Sequence, residues 1–498
     1  MSETSAQDRK HHQKIAQSVS VMGISLAMTM AISLLLRMMM PRILGPEKLG
    51  VFYFAESFAN LFFSFLPLGL STYIFRRLPS SPAHTSEVLA SMTLLELVMA
   101  FCLGLGLCVT LWFGHYDSET RYATLIMGIY AAVLIFSKSV LQNVFLALEE
   151  VTLVSRLNVL VKVILVSSCL SVLVFYPSVL LLAGMYLLSE LCGLVILLYV
   201  CSRLQYFAHP PSLDKLKSIL AVSLPFYLAG VLNGVYAEID TTMLSHLANH
   251  KEVGYFGAAY KLIGVFLLLI PLMQSSMSPS LSRAHAARDG SFEQLVTDIL
   301  RFFLIICLPL SLGVILFGDT IATFLYGSAF APSFKVIAYL APVLVMMYLN
   351  TFMGTCLNLV SSGHKLAAIF VGSISLNIFL DSLFIPLGLK QNGPGFAAQY
   401  VSFSTFLCEG FAFTAMILIF PSKIWNRQLT LRALAIFVPC GLFLYGYDSI
   451  VGLDVWRRLA LGLLVIPYAF GLKLISIADI KAFWNIVKRR KPAAPSEG

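Results

Sequence analysis

Fourteen apolar runs joined by short loops constrain this chain more than any other feature of its sequence. They fall near 16–40, 50–75, 88–113, 122–148, 153–176, 178–201, 218–245, 253–282, 296–318, 334–361, 366–387, 394–420, 431–447 and 457–477. Most reach the roughly 20 residues an α-helix needs to cross a bilayer core. Lipid offers the backbone no hydrogen-bond partners, so a spanning segment must satisfy its own amides, which a helix does. The expected fold is an all-α polytopic membrane protein with one transmembrane helix per run. A charged share of 12% beside 58% hydrophobic residues excludes a soluble domain, where charged residues make up about 25%.

The chain also repeats itself. Gly50–Ser71 aligns without a gap on Gly254–Ser275, 204 positions later, and seven of the 22 pairs are identical: Gly50/Gly254, Phe52/Phe256, Ala55/Ala259, Phe62/Phe266, Pro67/Pro271, Leu68/Leu272 and Ser71/Ser275. Apolar composition alone would give roughly two, so the match points to duplication, as in transporters built from related halves. A six-helix repeat returns the chain to its starting side, which predicts two parallel six-helix lobes, 1–201 and 219–420. Between them lies a linker, 202–218, carrying Arg203, His209, Pro210, Pro211, Lys215 and Lys217. Two further helices occupy 421–477. In the tail, 478–498, Ile480, Phe483, Trp484 and Val487 share a helical face opposite Lys481, Lys488, Arg489, Arg490 and Lys491. That tail suits either a helix lying on an anionic leaflet or a solvated basic segment.

Orientation follows from lysine and arginine. Counting the N-terminus and alternate loops as cytoplasmic places 22 of the 34 basic residues there and 8 on the other side, with four inside helices. Both termini are therefore expected in the cytoplasm, and the net charge of +9 is a topological signal that calls for no nucleic-acid partner. The basic start (Arg9, Lys10, Lys14) leads into a run too long for a cleaved signal, so the first helix is expected to stay as an anchor. The nine cysteines lie in apolar helices without metal-ligand spacing and read as buried small hydrophobes. No phosphate-loop motif occurs, which argues against ATP hydrolysis, and neither metal nor cofactor is expected.

Ionisable groups within the runs carry the chemistry, because each costs about 2.5 to 3.5 kcal/mol at mid-membrane unless it faces a polar interior. The cations are Arg37, Lys138, Lys162 and Lys261; the acids are Glu56, Glu96, Glu190, Glu238, Asp240, Asp381 and Glu409. Several end polar stripes on one helix face: Ser25-Thr29-Ser33-Arg37, Glu56-Asn60-Ser64, Ser155-Asn158-Lys162, Asn233 with Asp240, Asn350-Gly354-Asn358 and Ser373-Asn377-Asp381. Such stripes line a cavity or form polar helix contacts. If the four cations converge, they make a positive cavity for an anion, with Arg37 forking onto phosphate oxygens and the lysines acting as point charges; alternatively, they pair with the acids. Ser33, Glu56, Asn60, Asn233, Asn350 and Asn377 are candidate cavity lining. Glu238, Asp240 and Asp381 are candidates for ion coupling. The 204 offset sets Leu36 on Asp240, so Arg37 and Asp240 occupy nearly equivalent sites and could lock one conformation. Pro67, Pro271, Pro225, Pro309, Pro342 and Pro386 are hinges or packing kinks.

Short tracts in order along the chain resemble a known family. Arg42-Ile-Leu-Gly-Pro-Glu-Lys-Leu-Gly50, Leu68-Gly-Leu-Ser71 with Arg76-Arg77, Leu224-Pro-Phe with Asp240, Val253-Gly-Tyr-Phe-Gly-Ala-Ala-Tyr-Lys261, Phe324-Leu-Tyr-Gly327 and Phe330-Ala-Pro332 are similar to bacterial polysaccharide flippases. These form the Wzx-type branch of the multidrug/oligosaccharidyl-lipid/polysaccharide exporter superfamily. The resemblance implies two lobes around a cationic cavity. It also implies flipping of undecaprenyl-diphosphate-linked oligosaccharide across the bacterial inner membrane for O-antigen (lipopolysaccharide), capsule or exopolysaccharide assembly. Membrane lipids surround such a protein, and a polysaccharide polymerase and chain-length proteins are its implied companions. Lys261 and Asp240 carry over by matched position, whereas the acid often found before the Leu-Gly-Leu-Ser tract is Pro67 here and does not. Alternatives within the superfamily are a drug or cation antiporter and a peptidoglycan-precursor flippase. A polytopic glycosyltransferase, polymerase or ligase is disfavoured because the outer loops are too short to hold catalytic groups.

Overall fold

The structure, a computed structural model, describes residues 2–78, 85–206, 209–267, 269–361, 363–391, 393–420, 424 and 427–471. The basic tail at 478–498 lies outside the described residues. The helices of the first half are α1 (Ser2–Phe63), α2 (Leu70–Arg77), α3 (Thr85–Phe113), α4 (Ser118–Phe136), α5 (Asn143–Ala147), α6 (Val151–Phe175), α7 (Val179–Arg203) and α8 (Leu213–Leu247). Those of the second are α9 (His250–Leu267), α10 (Leu269–Ala287), α11 (Ser291–Tyr326), α12 (Ser333–Val360), α13 (Gly363–Leu389), α14 (Phe396–Ile419), α15 (Arg427–Tyr445), α16 (Tyr447–Val451) and α17 (Val455–Gly471). Among the described residues, helix occurs in every predicted run, and nine of the described helices are long and apolar enough to cross a membrane. The protein is an all-α, multi-pass membrane protein. Large aromatic side chains stand exposed at helix ends, among them Trp112, Phe113, Tyr176, Tyr445 and Trp456, as expected of rings that anchor helices at a membrane–water interface.

Two details depart from the sequence reading. The run at 50–75 is not one helix: α1 stops at Phe63, residues 64–69 form a turn, and α2 restarts at Leu70. Pro67 removes an amide, and Leu68 and Gly69 then take left-handed φ values of 45° and 68°. Gly69 is needed for close approach as well, since a Cβ there would lie 2.7 Å from the Ser223 carbonyl of α8. Nor are all cysteines buried: Cys102 and Cys108 are exposed on α3, although all nine are free thiols. Within α1 a sharp break at Gly45 (φ 71°, ψ 175°) divides the first two apolar runs into separate arms.

By contact, the chain separates into two compact units. One contains Met1–Ala258, Leu325–Phe330 and Phe370–Val401; the other contains Ala259–Phe324, Ala331–Ile369 and Ser402–Gly498. In the first, α1, α4, α6 and α7 pack on one another and α8 packs on α1. The duplication has a physical counterpart here. A Cβ on Gly50 would overlap the His250 carbonyl, and one on Gly254 would overlap the Pro46 carbonyl. His250 stands 204 residues after Pro46, so the two clashes are the same contact seen from each copy. Two further equivalent pairs meet each other: Glu47 with Lys251 as an ion pair at 3.5 Å, and Tyr53, whose ring covers Gly257. Reciprocal contacts between equivalent residues are the signature of a two-fold arrangement. The second arm of α1 and the start of α9 therefore cross backbone to backbone, as only glycines permit.

The second unit is held by a buried ion pair. Arg458 of α17 reaches both carboxylate oxygens of Asp319 at 2.7 Å and also donates to the Leu316 and Leu453 carbonyls; the two side chains are only 6% and 9% exposed. Removing one partner strands a buried charge, which costs about 3 to 5 kcal/mol. Asp319→Ala is thus expected to lower the melting temperature of the purified protein by several degrees. An unchanged melting curve in detergent would show that the pair contributes nothing.

Candidate functional site

Three of the four predicted cations come together in the first unit. Lys162 has Lys138, Arg37, Glu190 and Glu56 as its electrostatic neighbours, drawn from α6, the segment after α4, α1 and α7. Arg37 and Lys162 are half-buried and Lys138 is exposed. Lys162 sits about 16 Å along α6 from Val151, near the middle of that 25-residue helix. Among the described residues, no ion pair within 4 Å engages Arg37, Lys138 or Lys162. Glu190 and Glu56 stand near these cations as counter-charges.

Local backbone explains the position of Lys138. Helix α4 does not continue regularly but widens into a π-helical segment, Ser137–Gln142, a distortion that recurs at functional sites. Its Ser139 hydroxyl donates to the buried Glu96 carboxyl at 2.5 Å, which anchors the segment on α3. Sequence reasoning missed this segment, and it missed the tyrosines around the cations. Tyr130 and Tyr186 meet edge to face with centroids 5.5 Å apart, and Phe52 lies 5.3 Å from Tyr186. Tyr130 has Glu56 and Glu190 as charged neighbours, and Tyr53 has Glu56 and Arg37. A spacing signal did exist: Tyr53 precedes Glu56 by three residues and Tyr186 precedes Glu190 by four, each pair on one helix face. Tyrosine supplies an apolar face and a polar tip, so the cluster offers cationic points and flat amphipathic walls together.

The polar stripes serve largely as contacts between helices. Ser25 donates to the Ser155 carbonyl of α6 at 3.0 Å, while Ser33 donates back to Thr29 in its own helix at 2.6 Å. Asn60 donates to Glu238 of α8 at 3.2 Å, and Asn377 of α13 donates to Asp240 of α8 at 2.7 Å. Asp381, one turn beyond Asn377, is fully buried, and Asn233 is exposed. Asp240 thus accepts from Asn377 in this conformation. In the second unit, Asn350 of α12 donates to the carboxylate of Glu409 in α14 at 2.5 Å and to its carbonyl at 2.9 Å. Lys261 belongs to that unit and is half-buried. A cleft there is lined by Ile270, Gln274, Phe303, Tyr348 and Thr355 among others, with no charged side chain among the described residues.

Known proteins share this fold. The family described as "Polysaccharide biosynthesis protein" matches residues 15–285, more than half of the chain. The probable low-salt glycan biosynthesis flippase Agl15 of Haloferax volcanii is 20% identical over 356 residues, covering 69% of this chain and 72% of that protein. Among solved structures, the inward closed conformation of the lipid II flippase MurJ superposes with a TM-score of 0.68 at 14% identity, over 94% of this chain and 99% of that one. An inward-facing multidrug resistance MATE transporter of the MOP superfamily gives 0.57 at 15% identity, over 86% and 99%. A MOP superfamily transporter from Pyrococcus furiosus, described as having a binding pocket of reverse polarity, gives 0.57 at 14% identity, over 86% and 96%. These likenesses show the fold, and the matched span settles membership: the chain belongs to the polysaccharide biosynthesis protein family.

Proposed function

We propose that this protein flips a lipid-linked oligosaccharide, carried on undecaprenyl diphosphate, from the cytoplasmic to the outer leaflet of the bacterial inner membrane. It is a transporter rather than an enzyme, and it works by alternating access for the assembly of O-antigen, capsule or exopolysaccharide. The observation that carries this reading is the trio Arg37, Lys138 and Lys162, neighbours at membrane depth and outside every described ion pair. A diphosphate matches the three cations in charge, and the ring faces of Tyr130 and Tyr186 suit the apolar faces of sugars. A cationic drug would meet repulsion there, which disfavours a drug or cation antiporter. Both termini face the cytoplasm in this scheme, so the crossing of Gly50 with Gly254 closes the outer side, and a polysaccharide polymerase with its chain-length proteins receives the product there. Lys261, Glu238, Asp240 and Asp381 are candidates for completing the path and coupling it to an ion.

A second reading, flipping of a peptidoglycan precursor, draws support from the MurJ superposition. One experiment separates the two: delete the gene and identify by mass spectrometry which polyprenyl-linked precursor accumulates on the inner leaflet. A glycan-bearing polyprenyl diphosphate is expected. Accumulation of a peptide-bearing precursor would favour the second reading, and normal export without accumulation would refute both.

A further inference from the structure

The crossing of α1 and α9 carries a cluster of titratable side chains with no part in the cation site. The His246 Nδ1 lies 2.9 Å from the Thr242 carbonyl, which can only accept, so Nδ1 holds the proton and Nε2 accepts from the Tyr116 hydroxyl at 2.7 Å. His250 sits beside them. Its Nε2 is 3.4 Å from the Thr120 hydroxyl and 4.0 Å from Asp117, while its Nδ1 is buried and has no hydrogen-bond partner among the described residues. The ring of Phe54 covers Tyr116, His246 and His250 at centroid distances of 5.6, 5.8 and 6.0 Å. His250 is also the residue whose carbonyl packs on Gly50, so its ring and the helix crossing move as one. We propose that His250, held between Asp117 and Thr120, is a proton-binding site whose occupation releases the Gly50–Gly254 crossing.

The physical reason lies at Nδ1. A neutral ring leaves a buried lone pair there, a modest cost, but protonation makes it a charged donor with no acceptor among the described residues. The groups facing His250 are Asp117 and Tyr116 from the segment before α4, Glu47 from α1, His246 from α8 and Lys251 from α9, with Arg121 bonded to the Tyr116 carbonyl. Burial pushes the His250 imidazole below its ordinary value, against the opposing pull of Asp117 and Glu47. For Asp117, burial acts upward, but the Thr120 hydrogen bonds and His250 outweigh it and hold the carboxyl below the usual range, so it stays charged. A histidine that binds its proton less tightly when the crossing is closed stabilises closure above its ordinary value of about 6.5 and loses that contribution as pH falls through it. Acid on this side therefore favours opening. Only the identity of that side, the exterior, rests on the flippase reading.

The test uses the full-length protein in liposomes, with its native cysteines replaced and the pair E47C/K251C introduced across the crossing. A short thiol-specific cross-linker is applied at pH 7.5 and at pH 5.5. Its yield is divided by that of D454C/R457C, a pair one helical turn apart that reports the pH dependence of the thiol chemistry alone. The ratio is expected to fall roughly threefold or more on acidification, and to stay flat in His250→Gln, or in His250→Asn should Gln disturb packing. A ratio equal at both pH values, or a fall that survives both substitutions, would overturn the proposal. No substrate enters this measurement, so its failure would leave the precursor-accumulation result standing, and the converse holds too.

Discussion

Gly254→Val should abolish export while leaving membrane insertion intact. The new Cβ would overlap the Pro46 carbonyl and lie 2.8 Å from its carbon and 3.1 Å from its Cα. These are backbone atoms of another helix and cannot swing aside as a side chain could. Overpacking of this kind costs about 1 to 3 kcal/mol or more, and 2.8 kcal/mol on the closed form alone shifts its population by about a hundredfold. A transporter that cannot close one side cannot complete its cycle. Gly50→Val is expected to behave alike, because the contact is reciprocal. Gly184→Ala in α7, where an added Cβ meets nothing within 4 Å, should retain export and serves as the control. Export measured by surface polysaccharide, with membrane abundance by immunoblot, decides; full export by Gly254→Val would mean that the crossing is not used in the cycle.

The second large effect is expected at the cations. Hydrogen bonds to charged groups contribute about 1.5 to 3 kcal/mol each, so Arg37→Ala, Lys138→Ala or Lys162→Ala should each slow export by about 10- to 100-fold, and any two together should abolish it. Lys162→Arg should preserve most activity, since the charge survives and the half-buried site admits a longer side chain. The decisive comparison is between activity and stability. Because the three side chains form no ion pair among the described residues, their removal should leave the melting temperature within a degree or two of the parent. Equal losses of export and stability would mark them as structural.

Helices and cations were legible in the sequence for the same reason: hydrocarbon penalises polar groups so strongly that apolar runs mark spans and intramembrane charges mark interiors. That penalty singled out Arg37, Lys138, Lys162 and Lys261 but left open whether they converge or pair with acids. What stood opposite each polar stripe was not legible, because periodicity selects a face and says nothing of the neighbour. Asn60 faces Glu238, 178 residues away, and Asn377 faces Asp240, 137 residues away. The π-helical segment holding Lys138 escaped notice because its widened turn has no propensity signature and is fixed by packing, including the Ser139–Glu96 bond. Pro67 signalled an interruption, but the full break needed Leu68 and Gly69 in left-handed conformation, with α8 pressed against the turn. The repeated glycines disclosed duplication; that Gly50 and Gly254 meet on the two-fold is a fact of packing alone.

Reconstituted flipping decides whether a positive passage carries an anionic headgroup. Purified protein in liposomes, loaded with a fluorescent polyprenyl-diphosphate oligosaccharide, is followed by the fraction of label that becomes accessible to an external quencher. Parent protein should equilibrate the two leaflets, and the Lys138→Gln/Lys162→Gln protein, equally folded by its melting curve, should slow that exchange by about 100-fold or more. Exchange by the neutralised protein at the parent rate would contradict the cationic passage, and no exchange by the parent above protein-free liposomes would contradict flipping itself.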